Sequence, residues 1–238
     1  MNEASKTRLF RGQEFADRYL SGKVLDIGCG TDIVVPNAQP FDVVHGDANH
    51  ITDYLPVETF DCVHSSHCLE HMRDAPGALR LWWSLVKPGG VMIVAVPEEN
   101  LYEQGIWPSM FNPDHKATFR LDSSASWSPV SYDLRKLVAD LPDAEVLEAE
   151  VQDAGYDRRL QRHGVGFVGR LAHFVDRVHK AIFRRTRVRL RALDALFDKA
   201  AWCFGKPIDQ TLGEALAQIQ VVVRKSAPCR QYGGFKVC

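Results

Sequence analysis

The chain has 238 residues, 45% of them apolar and 25% charged, with 29 Lys plus Arg against 30 Asp plus Glu. That length and balance suit one α/β domain (residues 1–238) with a sizeable core and an elaboration, and a net charge of −1 excludes a global nucleic-acid signature. Cys29, Cys62, Cys68, Cys203, Cys229 and Cys238 form no C-x-x-C pair and read as reduced, intracellular thiols; residues 1–5 are polar, and no apolar run is long enough to span a bilayer.

In chain order, Leu9, Phe10, Phe15, Ala16, Tyr19 and Leu20 recur at helical spacing, which predicts a helix over 7–20, ended by Ser21-Gly22. Val24, Leu25 and Ile27 then form a short apolar β-forming run that breaks at Gly28-Cys29-Gly30. Glycines let the chain turn tightly and bring its backbone close to a ligand. A dinucleotide fingerprint needs a third glycine opening a helix, but Ile33 stands there and Pro36 follows. A buried strand with an idle turn also fits this octet alone. Pro36, Asn37 and Pro40 predict a loop up to a short strand at 43–45, which ends in Gly46-Asp47-Ala48. Residues 59–66 predict the next strand, 74–87 a helix, and 91–96 a strand after Pro88-Gly89-Gly90. Residues 98–130 form a long connection whose Trp107, Phe111 and Trp127 argue for an ordered lid and acceptor pocket. A helix over 132–141 and strands over 145–151 and 217–224 complete the pattern, with a helical insert over 155–210 between the last two strands.

The octet Lys23-Val24-Leu25-Asp26-Ile27-Gly28-Cys29-Gly30 resembles motif I of the class I S-adenosylmethionine (SAM)-dependent methyltransferases. Phe60-Asp61-Cys62-Val63, Leu69-Glu70-His71 and Lys87-Pro88-Gly89-Gly90 resemble later segments of the same family, and their order is more specific than any one piece. The resemblance implies a Rossmann-like α/β sheet, here with a shortened segment after the first strand, and SAM as cofactor. It implies cofactor contacts at Asp26, Gly28, Cys29, Gly30, Asp47, Ala48, Ser65, Ser66 and His67, with Asp47 at either the ribose or the adenine. The connection further resembles methyltransferases of bacterial surface-polysaccharide (O-antigen or capsule) synthesis, which implies a sugar or lipid-linked glycan acceptor. A small lipophilic acceptor such as a quinone, and an inactive SAM-fold binding module, are the alternatives.

Methylating a hydroxyl requires a base, and His serves at neutral pH. His71 and His115 are the candidates, with His67 behind them. His45, His50, His64, His67 and His71 cluster in sequence, but strand alternation disperses neighbours and no zinc spacing occurs, so no metal is expected. Between residues 158 and 191 ten Arg and one Lys face one Asp, a net of +10. Such a basic amphipathic stretch fits an anionic membrane surface, through Arg184, Arg185, Arg187, Arg189 and Arg191, or a homodimer partner; nucleic acid fits less well. The expected location is cytoplasmic, peripheral on the inner membrane.

Overall fold

The computed structural model describes residues 3–163, 174, 178, 207–227, 230–232 and 235–237. Its centre is a six-stranded sheet in the order β2-β1-β3-β4-β8-β7. β1 (Val24–Ile27), β2 (Gln39–Phe41), β3 (Phe60–Ser66) and β4 (Val86–Pro97) run parallel, whereas β8 (Gln218–Lys225) pairs antiparallel with both β4 and β7 (Ala144–Gln152). All four residues of β1 are buried, as expected of a central parallel strand covered on both faces. A Rossmann-like α/β sheet with a turn in place of the first crossover helix is therefore present.

Two apolar layers sandwich the sheet. On one face α2 (Ala75–Ser84) contributes Leu79, Trp82 and Trp83, and α3 (Leu134–Ala139) contributes Leu134 and Val138. The two buried indoles donate to Ala48 O and Pro142 O at 2.9 Å each, so neither polar tip is stranded. On the other face Tyr19 of α1 (Glu3–Tyr19) packs with Val24, Cys62, Ile93 and Val222. α1 bends at Gly12, whose φ of 70° is non-helical, so the expected single helix is two pieces.

Several expected boundaries are corrected. The second strand is Gln39–Phe41, not 43–45: Val43 and Val44 are 87% and 84% exposed in the turn that follows. Pro40 is tolerated because β2 is an edge strand, and the Asp42 carboxylate, accepting from Val43 N at 2.7 Å, turns the chain before those valines. α2 stops at Ser84, three residues early, because the Leu85 carbonyl accepts from Thr59 N and Phe60 N and so joins the sheet. The 98–130 connection holds a π turn (Glu99–Glu103) and β5 (Thr118–Arg120), which pairs in a two-stranded parallel ladder with β6 (Ser131–Asp133) just beyond it. Buried Glu99 stitches it, accepting from Thr118, Ser126 and Ser131 hydroxyls at 3.1, 2.8 and 2.5 Å. The Arg184 to Arg191 stretch and most of the 155–210 insert lie outside the described residues.

Candidate functional site

The carboxyl ends of β1, β2 and β3 open onto two crevices that share Gly28 and His67 as walls. The first, about 320 Å³, is lined by Asp26, Gly28, Cys29, Gly30, Ser66 and His67, with Ala4 of α1 above them. Gly28 has φ 73°, and a Cβ there would stand 2.5 Å from Cys68 Cβ, so the turn admits no side chain. Gly30, φ 54°, faces open space instead, leaving its backbone accessible to a ligand. The Ser66 hydroxyl is buried without a hydrogen-bond partner among the described residues, on the same wall. Burial, then Asp26 and Asp42, push the Cys29 thiol up, and burial does the same to Cys62 and Cys68, so none is a thiolate nucleophile.

Asp26 is 1% exposed and already engaged. Its Oδ2 accepts from Val34 N at 2.7 Å and its Oδ1 lies 2.7 Å from His64 Nδ1. His64 Nε2 lies 3.0 Å from Arg11 Nη1. A guanidinium only donates, so Nε2 is the acceptor and Nδ1 carries the proton given to Asp26. Burial pushes the His64 pKa down against the pull of Asp26, which keeps the imidazole neutral between its two partners. Burial likewise lowers Arg11 to about 10, still a cation at neutral pH. The relay fixes both the glycine turn and α1, which Ser5 further ties to Asp32 through backbone N–H and hydroxyl.

The second crevice, about 690 Å³, is lined by Asp42, Asp47, Ala48, Asn49 and Tyr54, with Arg73 N bonded to Asn49 Oδ1 at 2.9 Å, and by His71, Asp114 and Lys116. Asp47 caps the 3₁₀ turn Ala48–Asp53, accepting from Asn49 Nδ2 and N, and these two bonds hold its pKa down. Asp42 directly follows β2 and accepts from Gly30 N at 2.8 Å, coupling the strand end to the glycine turn. Asp42 escaped sequence reasoning because the expected strand, 43–45, starts directly after it and so puts the acid before the strand rather than at its end; an acid closing a short strand beside a Gly-rich turn is the signal that would have found it.

At the far end the 3₁₀ turn Leu69–His71 meets the 98–130 connection. His71 and His115 stack edge to face, ring centroids 5.0 Å apart. His71 Nδ1 lies 2.9 Å from Asp114 Oδ2, and His115 Nδ1 lies 2.6 Å from Glu103 Oε1. Burial alone would lower His115; the Glu103 hydrogen bond and the charges of Glu70, Glu103 and Asp114 outweigh it, and its pKa is raised. His67, at φ 53°, has Nε2 2.8 Å from Gln218 Oε1. Sequence-predicted Asp26, Gly28, Cys29, Gly30, Ser66 and His67 thus meet in one crevice and Asp47, Ala48 and His71 in the next. Ser65 is buried behind them, and His115 sits behind His71. Trp107, Phe111 and Trp127 line neither crevice; Phe111 packs on Tyr102, and the Trp127 indole donates to Asn100 Oδ1.

A family described as a methyltransferase domain matches residues 6–159, well over half of the chain. The chain belongs to the SAM-dependent methyltransferases. It is 32% identical to a ubiquinone biosynthesis O-methyltransferase of Rhodopseudomonas palustris over 34% of this chain and 42% of that protein, so it spans less than half of that relative's length. Its fold is similar to that of a Bacillus halodurans protein assigned as a methyltransferase (TM-score 0.51, 12% identity, covering 93% of this chain and all of that one). A SAM-dependent methyltransferase of Archaeoglobus fulgidus is also similar, at 16% identity and TM-score 0.49, with 94% of each chain covered. SAM is the cofactor of this class. The open space beside Gly30, the Ser66 hydroxyl, unpartnered among the described residues, and the acids beyond β2 fit it, a cation with a ribose diol.

Proposed function

We propose that the protein transfers a methyl group from SAM to a hydroxyl of a sugar in a bacterial surface glycan or its lipid-linked precursor. When bound, SAM supplies a sulfonium methyl, which passes to the acceptor oxygen as the S–C bond breaks and its electron pair stays on sulfur. The chain's own part is placement and proton handling. Gly28 and Gly30 shape the turn; Asp26, held by His64 and Val34 N, sets its position; Asp42 and Asp47 offer carboxylates at the nucleoside end. The acceptor enters beside His71, where Glu70, His71 and His115 converge, and its hydroxyl passes its proton to an imidazole nitrogen of His71 or His115.

The observation that carries the glycan reading is the polar wall at this end: Asp114, Lys116 and His71 offer donors and acceptors suited to a polyhydroxyl ring. A quinone-precursor acceptor is the second reading, favoured by the partial match to the ubiquinone pathway enzyme. Calorimetric titration with S-adenosylhomocysteine (SAH) tests the cofactor; micromolar binding is expected, and no heat leaves only an inactive binding module. Radiolabelled methyl transfer then compares nucleotide sugars and lipid-linked glycans with a polyprenylated catechol. Label in the catechol alone overturns the glycan reading.

A lipid-linked acceptor would place the protein on the cytoplasmic face of a membrane, through Arg184, Arg185, Arg187, Arg189 and Arg191, where each cation is worth roughly 1 kcal/mol near an anionic leaflet. Among the described residues no helix is long and apolar enough to cross a membrane. Co-sedimentation with anionic liposomes that persists after all five are changed to Ala defeats this assignment.

A further inference from the structure

Glu70 is 1% exposed, and neither carboxylate oxygen has a hydrogen-bond partner among the described residues. An ionised group buried in that state is costly unless a counter-charge or metal ligates it. Three imidazole nitrogens surround its Oε1 without bonding it: His67 Nδ1 at 3.7 Å, His71 Nε2 at 3.9 Å and His115 Nε2 at 4.0 Å. A direct ion pair would close such gaps to about 2.8 Å. Donors around one small cation, each about 2.0–2.2 Å from it, instead stand about 3–3.5 Å apart. The ligand atoms of Glu70, His71 and His115 all lie within 4.8 Å of one another.

The outer contacts argue the same way. His71 is bonded through Nδ1 to Asp114, and His115 through Nδ1 to Glu103, so both rings turn Nε2 toward Glu70. A carboxylate behind each ring is how metal-ligating histidines are oriented and made more basic. Glu103 is itself 2% exposed with its Oε2 unpartnered among the described residues, a second buried carboxylate in want of positive charge. The two segments, the Leu69–His71 turn and the part of the 98–130 connection that carries Glu103, Asp114 and His115, lie more than thirty positions apart, and for that reason no local motif joins them in the sequence.

We propose that Glu70, His71 and His115 bind one divalent first-row transition cation at the acceptor end of the crevice. Two imidazoles and one carboxylate suit Zn²⁺, Mn²⁺, Fe²⁺ or Co²⁺ better than Mg²⁺. Three protein ligands leave positions for acceptor oxygens on the crevice side, where His71 forms the wall. Such an ion makes a sugar diol chelate and lets its hydroxyl surrender a proton to crevice water at neutral pH. His71 and His115 are then ligands rather than bases. The role given to the ion rests on the acceptor reading above; its binding does not.

The test uses the whole chain, stripped by chelator and dialysed, titrated with Zn²⁺ by calorimetry and with Co²⁺ by visible absorption. One ion per chain is expected, with micromolar or tighter affinity and a cobalt d–d band. Glu70→Gln and His115→Ala should each weaken it a hundredfold or more, Asp114→Asn about tenfold, and His50→Ala not at all. Should the buried variants fail to fold, half-exposed His71→Ala and exposed Asp114→Asn carry the same test. No stoichiometric uptake, or uptake indifferent to these changes, overturns the proposal. A parallel SAH titration separates the two readings: SAH binding without metal uptake removes the ion and leaves methyl transfer standing, and the reverse removes methyl transfer alone.

Discussion

The two ends of the crevice both bury carboxylates, and they treat them in opposite ways. At the glycine turn, Asp26 meets Val34 N and His64, and through His64 the guanidinium of Arg11; its charge is answered within the fold. At the acceptor end, the Glu70 carboxylate has no hydrogen bond among the described residues. The first is structure that serves function by standing still. The second is a local penalty the fold tolerates, of the kind expected where charge is held ready for something that arrives later.

The largest effect follows from removing the answered charge. Asp26→Ala leaves the buried His64 Nδ1–H and Val34 N–H unpaired and takes away the carboxylate that answers Arg11 through His64. Breaking one partner of a buried pair costs about 3–5 kcal/mol, which lowers the melting temperature by roughly 10 °C for a chain of this size; SAH binding should be lost with it. Glu70→Gln should do the reverse to stability. In chelator-treated protein it relieves an unpartnered charge and raises stability by about 1 kcal/mol, a gain of about 2–4 °C, while methyl transfer falls at least a hundredfold. A thermal melt and an activity assay on the two variants check the contrast. A destabilised Glu70→Gln would mean that the carboxylate is a structural anchor like Asp26.

pH sharpens the same contrast. His64 is held neutral, its pKa pushed below the ordinary 6.5 mainly by burial. The unfolded chain therefore takes up a proton near pH 6.5 that the folded chain refuses, so this group's contribution is whole above pH 6.5 and is lost as pH falls, by at most about 1.4 kcal/mol per pH unit. His64→Gln keeps a donor for Asp26 and an acceptor for Arg11 without titrating. Its melting temperature should fall less steeply than the parent's below pH 6.5. Parallel acid limbs would show that the relay carries no such linkage.

Much of this was legible in the sequence, for physical reasons that also mark where it stopped. The glycine turn, the β3 and β4 segments and Leu69-Glu70-His71 are local, contiguous and dictated by burial on both faces of a parallel sheet. Val43-Val44 misled because β-propensity reports fit to a half-buried surface, and here an aspartate turn beats it. The acceptor cluster was half visible: His71 and His115 were chosen one at a time as bases, but their shared Nε2 orientation depends on Asp114, Glu103 and the packing of the 98–130 connection. No spacing rule links Glu70 to His115.

The smallest effects separate the two acids at the nucleoside end. The sequence offered Asp47 alone; the structure adds Asp42, one residue past β2, with an oxygen on Gly30 N. We propose that Asp42, at that strand end, accepts from the ribose diol, and that Asp47, beside Ala48 and capping the following turn, faces the base. Asparagine keeps an acceptor in each case and removes only the charge, so both losses are modest. Asp42→Asn should weaken SAH about fivefold, near 1 kcal/mol, the worth of the charge on one hydrogen bond. Asp47→Asn should weaken it about twofold, because its charge is spent largely on Asn49. Titration of both variants with SAH and with 2′-deoxy-SAH decides it: the deoxy compound should abolish the difference between parent and Asp42→Asn and leave the Asp47→Asn difference intact. If the deoxy compound instead abolishes the Asp47 effect, the ribose belongs to Asp47, and the bond from Gly30 makes Asp42 a brace for the turn, paired within the fold as Asp26 is.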